Sequence, residues 1–332
     1  MFGGDSGARD GDGPAAGRAE RLSATRQDEV ALPRRPKKTL QVMRAEPPTG
    51  EFAAVGGPRP EPTIFGLTDR GCVRENNEDQ FLIAKLERSV LLQQSGFPIP
   101  DGTRLSQPSP LLLMVADGMG GHDGGEVASA VAIDAMAHYA FTTMPWLDVQ
   151  GKSDQELVEG LVAAVRQAQD RMLRVAARKQ LDARMGSTLT MAYVAWPSLL
   201  LFHVGDSRAY LYREGELRQL TADHNLAHEM VSHSLMTVDE ARRSHFTSVL
   251  TNALGGGSDR LEVEIHRTNL QEGDSVLLCT DGLHGELADE DIERHLALLE
   301  GPQGVTDCVN GLVEAAKIAG GGDNLTVVLA RF

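Results

Sequence analysis

Short apolar runs separated by Gly, Pro and polar turn residues follow one another from residue 62 onward, and this pattern predicts β-strands. Most runs have about five to eight residues, the usual length of a strand. The predicted strands are Thr63–Thr68, Gln80–Lys85, Leu111–Ala116, Ser187–Ala195, Leu199–Val204, Arg208–Arg213, Glu216–Leu220, Leu261–Arg267, Asp274–Thr280 and Leu325–Phe332.

Other segments repeat their apolar residues with the period of a helix. In one of them Leu161, Val165, Ala168 and Met172 step by three or four, which places an apolar stripe on one helix face. Because strands come in consecutive runs with helices grouped between them, the pattern favours an α+β layered domain over a βαβ parallel sheet. The predicted helices are Gly125–Phe141, a segment around Leu157–Val175, Asp289–Leu299 and Thr306–Ala319.

Residues 1–61 have a different composition, with repeated Gly, Pro, Arg and Asp and few aliphatic residues. Such a segment cannot bury enough apolar surface to offset the entropy of ordering it. We therefore predict a disordered N-terminal tail over 1–61 and a folded domain over 62–332. The basic stretch Arg34–Lys38 in this tail is either a docking motif for a partner or a solvated patch.

The chain has 332 residues, enough for a sizeable core, and a formal net charge of -15. Nucleic acids and anionic membranes attract basic surfaces, so this charge argues against both as partners. An acidic protein can concentrate carboxylates around cations, although most acidic residues only face solvent.

Three cysteines, Cys72, Cys279 and Cys308, form neither a Cys-x-x-Cys pair nor an even set. This argues against a disulfide framework or a zinc site and favours a reducing compartment. The stretch Met1–Pro14 has no apolar core of a signal peptide, and the aliphatic run Leu111–Ala116 is too short to span a bilayer. We therefore expect a cytoplasmic protein.

Several short motifs place an Asp beside Gly at the end of an apolar run, where a strand ends. One Asp-Gly pair usually marks a turn, but a series at successive strand ends can aim several carboxylates at one point. Hard divalent cations such as Mg²⁺ and Mn²⁺ prefer such oxygen ligands, and two of them can promote in-line attack on phosphorus. The motifs are Asp117-Gly118, Gly205-Asp206, Asp281-Gly282 and Gly322-Asp323, preceded by Asn77-Glu78-Asp79.

Taken in order, these motifs resemble the bacterial form of the metal-dependent protein phosphatase family (PPM, type 2C), over roughly residues 62 to 332. The resemblance implies a four-layer αββα sandwich, with two central antiparallel β-sheets flanked by helices and metals in a cleft at one edge. The motifs that carry it are Arg74-x-x-Asn77-Glu78-Asp79, Val115–His122, Gly186-Ser187-Thr188, Val204–Arg208, Thr280–Leu283 and Gly322–Thr326.

The resemblance also implies roles for single residues around two core Mn²⁺ or Mg²⁺ ions and a looser third. Asp117 bridges the core ions, and Arg74 grips the substrate phosphate as a bidentate guanidinium can. The Gly118 carbonyl binds one core ion, and Asp79 holds the same ion directly or through water, with Glu78 behind them. Asp281 and Asp323 hold the other core ion, and Asp206 holds the third.

Residues 221–254 resemble the family's flap, a subdomain beside the cleft. Animal members carry a proposed general acid, a histidine, where this chain has Met119, so the group that protonates the leaving oxygen stays open between water on a metal and His122. The flap sequence Val231–Ser234 also departs from the family pattern. So does Glu87–Pro110, whose prolines predict a loop longer than the family's usual hairpin there.

The implied function is hydrolysis of phosphoserine and phosphothreonine in proteins, by a hydroxide that bridges two metal ions. Serine/threonine kinases and their targets are then the expected partners. Two alternatives stay open. One is a phosphatase dedicated to a single protein of a partner-switching pathway, and the other is an inactive member that binds phosphoproteins as a scaffold.

Overall fold

The computed structural model describes residues 40–44, 61–87, 89–91, 104–106, 109–120, 124–142, 154–182, 184–256, 261–301 and 303–332. All of these residues fall within one unit, Lys38–Phe332. In chain order the strands are β1 (Leu40–Arg44), β2 (Thr63–Asp69), β3 (Asp79–Lys85), β4 (Ser89–Leu91), β5 (Arg104–Ser106), β6 (Leu111–Met119), β7 (Gly186–Ser187), β8 (Leu189–Ala195), β9 (Ser198–Val204), β10 (Arg208–Arg213), β11 (Glu216–Gln219), β12 (Leu254–Gly255), β13 (Leu261–Asn269), β14 (Ser275–Cys279) and β15 (Leu325–Arg331).

Two sheets contain most of these strands. The larger has eight strands in the order β1-β13-β9-β8-β6-β7-β12, with β3 also paired to β6, and all of its pairs are antiparallel except β1 with β13. The smaller has five antiparallel strands in the order β11-β10-β14-β15-β2. Strands β4 and β5 pair only with each other within the described residues.

Helices cover the outer faces of the sheets, and two short ones lie in the flap. In the described residues they are α1 (Gly124–Thr142), α2 (Asp154–Lys179), α3 (Leu226–Ser232), α4 (Val238–Arg242), α5 (Asp281–His284), α6 (Asp289–Leu296) and α7 (Gly304–Ala319), with a 3-10 helix at His245–Ser248. None of these helices is long and apolar enough to cross a membrane.

The continuous apolar runs of the central strands follow from burial on both faces. In β6, Leu112 and Met114 pack with α1 and α2, whereas Leu113 and Val115 point the other way, into the layer between the sheets. Side chains alternate across a strand, so a strand covered on both sides needs apolar residues at every position. The smaller sheet repeats this pattern, with Leu277 packed toward α6 and α7.

Three apolar layers therefore stack between four layers of secondary structure, and the predicted αββα sandwich is confirmed. Burying one such leucine side chain stabilises the fold by about 1.5–3 kcal/mol. Because the strands that carry the acidic motifs are fixed in these layers, their ends stay in fixed positions at one edge of the sandwich.

The structure differs from the sequence prediction in three segments. Leu40–Arg44 form a strand inside the tail that was predicted to be disordered, so the prediction is wrong for these five residues. Their alternation of Leu40 and Val42 suits an edge strand, which pairs through its backbone. The rest of the tail up to residue 60 lies outside the described residues, and the boundary at residue 62 stays a prediction.

The other two differences concern loops. Glu87–Pro110 was predicted to be a long loop, yet it contains the paired strands β4 and β5. The sequence pattern predicts no helix in the flap, yet the flap contains α3 and α4. Both flap helices are capped by side chains, with Asn225 accepting from the His228 N–H and Thr237 forming a capping box with Glu240.

Candidate metal centre and phosphate cleft

The first two acidic motifs meet across neighbouring strands. Asp79 begins β3 and lies directly opposite Asp117 of β6 in the antiparallel register. Thr188 holds the backbone of Asp117 on its other side, since its hydroxyl accepts the Asp117 N–H at 2.9 Å and its own N–H donates to the Asp117 carbonyl at 2.9 Å. This places two carboxylates next to each other at one end of the larger sheet.

Asp79 is buried, with 1% of its surface exposed, and its two oxygens have different environments. Oδ2 accepts hydrogen bonds from the hydroxyls of Thr280, at 2.8 Å, and Thr326, at 2.7 Å. Oδ1 is buried without a hydrogen-bond partner. A buried carboxylate oxygen without a partner is costly in a folded protein, so Oδ1 fits a ligand atom for a cation.

Asp281 and Asp323 come from the smaller sheet. Asp281 follows β14 and opens α5, and Asp323 precedes β15. A Cβ on Gly282 would lie 2.0 Å from the Asn324 carbonyl oxygen, so glycine allows these two loops to touch. Asp281 Oδ1 is buried without a hydrogen-bond partner, like Asp79 Oδ1.

Asp206 lies in the turn between β9 and β10 and is buried, with 4% exposed. Gly205 has a positive φ of 107°, and a Cβ there would lie 2.6 Å from Thr188 Cβ, so a side chain would be both strained and blocked. On the other side, His284 Nε2 donates to the Asp206 carbonyl at 3.0 Å. These contacts hold the turn on both sides, and Asp206 lines the same cleft as Asp117.

Burial and mutual repulsion raise the pKa values of these carboxyls. The pKa of Asp79 rises to about 7 and that of Asp281 to about 6, first because burial removes water from the charged form. The charges of Asp281 and then Asp323 add to the rise at Asp79, and the charge of Asp323 adds to the rise at Asp281. The pKa values of Asp117 and Asp206 also lie well above the usual range, by burial and then by the charge of Asp281. Carboxylates that repel one another in this way are the donor set that divalent cations neutralise.

The backbone near Glu78 holds Gly118 against α1. The Glu78 carbonyl accepts the Gly118 N–H at 3.2 Å and the Ser129 hydroxyl at 2.6 Å. A Cβ on Gly118 would lie 2.0 Å from the Gly125 carbonyl oxygen, so only glycine fits there. The Glu78 carboxyl is partly buried, and burial raises its pKa while Arg74 opposes the rise. These contacts place Glu78 and Gly118 beside the carboxylates of Asp79 and Asp117.

Arg74 lines a cleft of about 820 Å³ together with Asp117, Asp206, Asp281 and Asp323. Its Nη2 donates to Asp323 Oδ2 at 2.6 Å, and the two side chains are 56% and 36% exposed. An ion pair this exposed contributes about 0–1 kcal/mol, so a phosphate can displace it at little cost.

The sequence model of the family described as protein phosphatase 2C matches residues 93–308. The chain belongs to the protein phosphatase 2C family. The matched segment includes Asp117, Gly118, Asp206 and Asp281, whereas Asp79 and Asp323 lie outside it. In the fold, Asp79 lies opposite Asp117 of the matched segment, and Asp323 lies just before β15.

Relatives of this family extend the likeness over most of the chain. The serine/threonine protein phosphatase PstP of Mycobacterium tuberculosis is 36% identical over 266 residues, which are 79% of this chain and 43% of PstP. The serine/threonine phosphatase Stp of Listeria welshimeri is 29% identical over 265 residues, 80% of this chain and 93% of Stp. The chain thus spans less than half of PstP and nearly all of Stp.

A crystal structure of the Mycobacterium tuberculosis PstP is similar in fold, with a TM-score of 0.64 and 34% identity over 82% of this chain and 98% of that one. A crystal structure of the PstP catalytic domain in complex with two manganese ions has a TM-score of 0.61 and 33% identity, covering 81% and 97% of the two chains. The fold class and the family that the motifs resemble are both confirmed.

Several residues of the site were not predicted from the sequence. Thr280 and Thr326 bind Asp79, and Thr188 holds Asp117. Met119, at the position where animal members of the family carry a histidine, lines the cleft. His122 lies outside the described residues. The threonines sit inside or beside the quoted motifs, and that position is the only signal the sequence offered for them.

A buried histidine near the flap predicts a pH dependence of stability. His203 is 1% exposed, its Nε2 donates to the Ala222 carbonyl at 3.0 Å, and its Nδ1 pairs with the Thr190 hydroxyl at 2.9 Å. Burial, helped by nearby His224, lowers the pKa of His203 from 6.5 to about 4, although Glu264 and Asp223 oppose the shift. The unfolded chain therefore binds this proton first as pH falls.

The free energy of unfolding should then fall by about 2–3 kcal/mol between pH 6.5 and pH 4.5 because of His203. Urea unfolding of the wild-type and His203→Asn proteins at both pH values measures the contribution of His203. It is the difference between the two proteins in how much free energy of unfolding is lost between the two pH values. We expect the variant to lose about 2 kcal/mol less over this range. Equal losses in the two proteins would show that His203 titrates normally.

Proposed function

We propose that this chain is a metal-dependent protein phosphatase that hydrolyses phosphoserine and phosphothreonine. The observation that carries the proposal is the convergence of aspartates from both sheets: four line one cleft, and Asp79 lies directly opposite one of these, Asp117. Asp79 and Asp281 each have a buried oxygen that lacks a hydrogen-bond partner. Relatives named as serine/threonine phosphatases support the reaction class.

Mn²⁺ or Mg²⁺ is the proposed cofactor. Asp117 would bridge two ions, Asp79 and the Gly118 carbonyl would bind the first, and Asp281 and Asp323 the second, with Glu78 behind the first ion. When bound, two such ions lower the pKa of water and neutralise charge on the phosphoryl oxygens. The fit to metal rests on the unpartnered oxygens of Asp79 and Asp281.

The chain's own residues orient this centre and the substrate. The hydroxyls of Thr280 and Thr326 fix the Asp79 carboxylate through Oδ2 and leave Oδ1 without a hydrogen-bond partner, as a ligand atom for the first ion. Arg74 binds the phosphate, because its Nη2 reaches Asp323 at the centre while the rest of the guanidinium remains open to the cleft. Substrates are thus phosphorylated proteins, with serine/threonine kinases and their targets as the proposed partners.

Phosphate release from phosphothreonine, phosphoserine and phosphotyrosine peptides tests the proposal. We expect release from the first two with Mn²⁺ or Mg²⁺ and none with EDTA. Tight binding of phosphopeptides without release under any metal would support the inactive scaffold instead. Strong release from one phosphoprotein and none from peptides would support the dedicated phosphatase of a partner-switching pathway.

We further propose Asp206 as ligand of a third, looser ion. Asp206→Ala should keep both core ions and lower turnover by about 10²-fold, because a misplaced group at a reacting centre costs about this much, and excess Mn²⁺ should rescue little. Calorimetric titration with Mn²⁺ and steady-state kinetics check this, with the exposed Asp170→Ala of α2 as control. Loss of a core ion in Asp206→Ala would contradict the assignment.

A further inference from the structure

The two ends of the flap meet beside the turn that carries Asp206. Asn225 and Leu250 form an antiparallel bridge, the Leu226 N–H donates to the Val249 carbonyl at 2.9 Å, and the Thr251 N–H donates to the His224 carbonyl at 2.9 Å. The outgoing and returning segments of the flap are therefore joined by one short ladder of hydrogen bonds. The residues that hold this ladder then position the flap.

His224 joins the ladder to Gly205 by two hydrogen bonds. Its backbone N–H donates to the Gly205 carbonyl at 2.7 Å, and the Gly205 N–H donates to its Nδ1 at 3.1 Å. Gly205 is fixed by its positive φ and by the contact with Thr188 described above. His224 thus holds the residue immediately before Asp206 through both its backbone and its ring.

Asn252 completes the connection from the returning end of the flap. Its Nδ2 donates to His224 Nδ1 at 2.9 Å and to the Glu262 carbonyl at 2.8 Å, and its Oδ1 accepts the Glu262 N–H at 3.1 Å. Asn252 is 8% exposed. One side chain therefore links the flap, the ring of His224 and the start of β13.

The hydrogen bonds around His224 also show whether its histidine and glutamate neighbours could bind a metal ion. His203, His224 and Glu264 lie close enough together to suggest a second metal site. However, His224 Nδ1 accepts two N–H groups, so the neutral ring carries its proton on Nε2, and His203 Nε2 donates to the Ala222 carbonyl. Glu264 accepts the Ala222 N–H at 3.0 Å and pairs with His266 at 2.7 Å. The ligand atoms that a metal needs are already used to hold the flap.

We propose that His224 and Asn252 are positioning residues that set the flap and Asp206 together. The returning end of the flap, including Val249 and Ala253, lines the same cleft as Asp206 and Arg74. A flap displaced at His224 breaks the two hydrogen bonds that help to hold Gly205, and the carboxylate of the adjacent Asp206 is then free to shift. Substrate access and the outer metal site are coupled through this one contact. The inference rests on the proposed function, since it concerns the metal ligand assigned there.

His224→Phe tests the coupling because it keeps a ring and removes the acceptor. His224→Asn should preserve the coupling, since Asn Oδ1 can accept the Gly205 N–H where His224 Nδ1 did. The matched control is His295→Phe on α6, a partly exposed histidine whose ring hydrogen-bonds to the Asp291 carbonyl, away from the flap. Asn252→Ala provides a second, smaller change to the same contact if His224→Phe fails to fold.

Hydrogen–deuterium exchange of the metal-free protein reports the flap without any catalysis. We expect about tenfold faster exchange in residues 222–256 of His224→Phe and Asn252→Ala, the effect of losing one or two hydrogen bonds. Calorimetry should show about tenfold weaker binding of Mn²⁺ at the weakest site and unchanged binding at the tighter ones.

His224→Asn and His295→Phe should match the wild type in both measurements. Normal exchange and normal weak-site affinity in His224→Phe and Asn252→Ala would overturn the inference. So would faster flap exchange with unchanged weak-site binding, because the flap and Asp206 would then be independent. None of these readouts depends on phosphate release, so they stand apart from the test of the reaction itself.

Discussion

Asp117→Asn should lose phosphatase activity by about 10³-fold or more and should raise the melting temperature of the metal-free protein. Asp117 lies opposite Asp79 and shares the cleft with Asp206 and Asp281, so its carboxylate has several like-charged neighbours. Removing a group that organises charge at a reacting centre costs about 10²–10³ in rate, and here the ligand between two proposed ions is also lost.

The gain in stability has an electrostatic cause. Burial raises the pKa of Asp117, and the charges of neighbouring carboxylates raise it further. Asparagine keeps the size and removes the charge, which relieves about 1 kcal/mol or more per close pair. For a domain of this size that corresponds to about 2–4 °C per kcal/mol in melting temperature. Asp281→Asn should act in the same direction.

Thermal melts with EDTA and with Mn²⁺, together with turnover of a phosphothreonine peptide, measure both effects. Wild-type protein should gain stability on adding Mn²⁺ because binding to the folded state stabilises it, and Asp117→Asn should gain much less. Asp170→Asn makes the same change on the exposed face of α2 and should change neither quantity. An Asp117→Asn enzyme with normal turnover would contradict the two-ion centre.

The sequence predicted the strands well because burial on both faces leaves a clear pattern. Leu111–Ala116 was recognised as a strand from its unbroken apolar run, but β6 continues to Met119. Gly118 and Met119 pair with Ser187 and Gly186, and no local pattern reveals a ladder made by glycines. Asp117 therefore lies within a strand and not after it, which is why its backbone is fixed on both sides.

The carboxylates of the site could be predicted, whereas their supports could not. Four of the five aspartates stand beside Gly in a short motif, and Asp79 ends the motif Asn77-Glu78-Asp79, so all five are visible locally. Asp79 is bound by Thr280 and Thr326, which lie 201 and 247 positions away in the chain. Only the packing of the two sheets brings these residues together. The same holds for Arg74, whose partner is Asp323, 249 positions away, and not neighbouring Glu75 or Glu78.

Arg74→Ala should lower kcat/KM for a phosphothreonine peptide by about 10–100-fold. A guanidinium that makes one or two charge-assisted hydrogen bonds to phosphate contributes about 1.5–3 kcal/mol. The free enzyme gives up little to form them, because the Arg74–Asp323 pair that must open is exposed on both sides. Without Arg74, the acidic cleft would also repel the incoming phosphate dianion.

The division of the loss between KM and kcat shows when the contact acts. Equal contact with phosphate in the ground and transition states would raise KM alone, and a contact that tightens as charge develops would lower kcat as well. Arg74→Lys should recover part of the loss, since an ammonium supplies charge without the planar fork.

Because Arg74 also holds Asp323, its removal could act through the metal ligand instead of the phosphate. The Mn²⁺ dependence of the rate separates these causes. Loss of phosphate binding leaves the Mn²⁺ concentration for half-maximal activity unchanged, whereas a displaced Asp323 raises it and excess Mn²⁺ then restores the rate. Arg178→Ala, an exposed arginine at the end of α2, makes the same change in charge away from the cleft. Wild-type kcat and KM in Arg74→Ala would show that another group binds the phosphate.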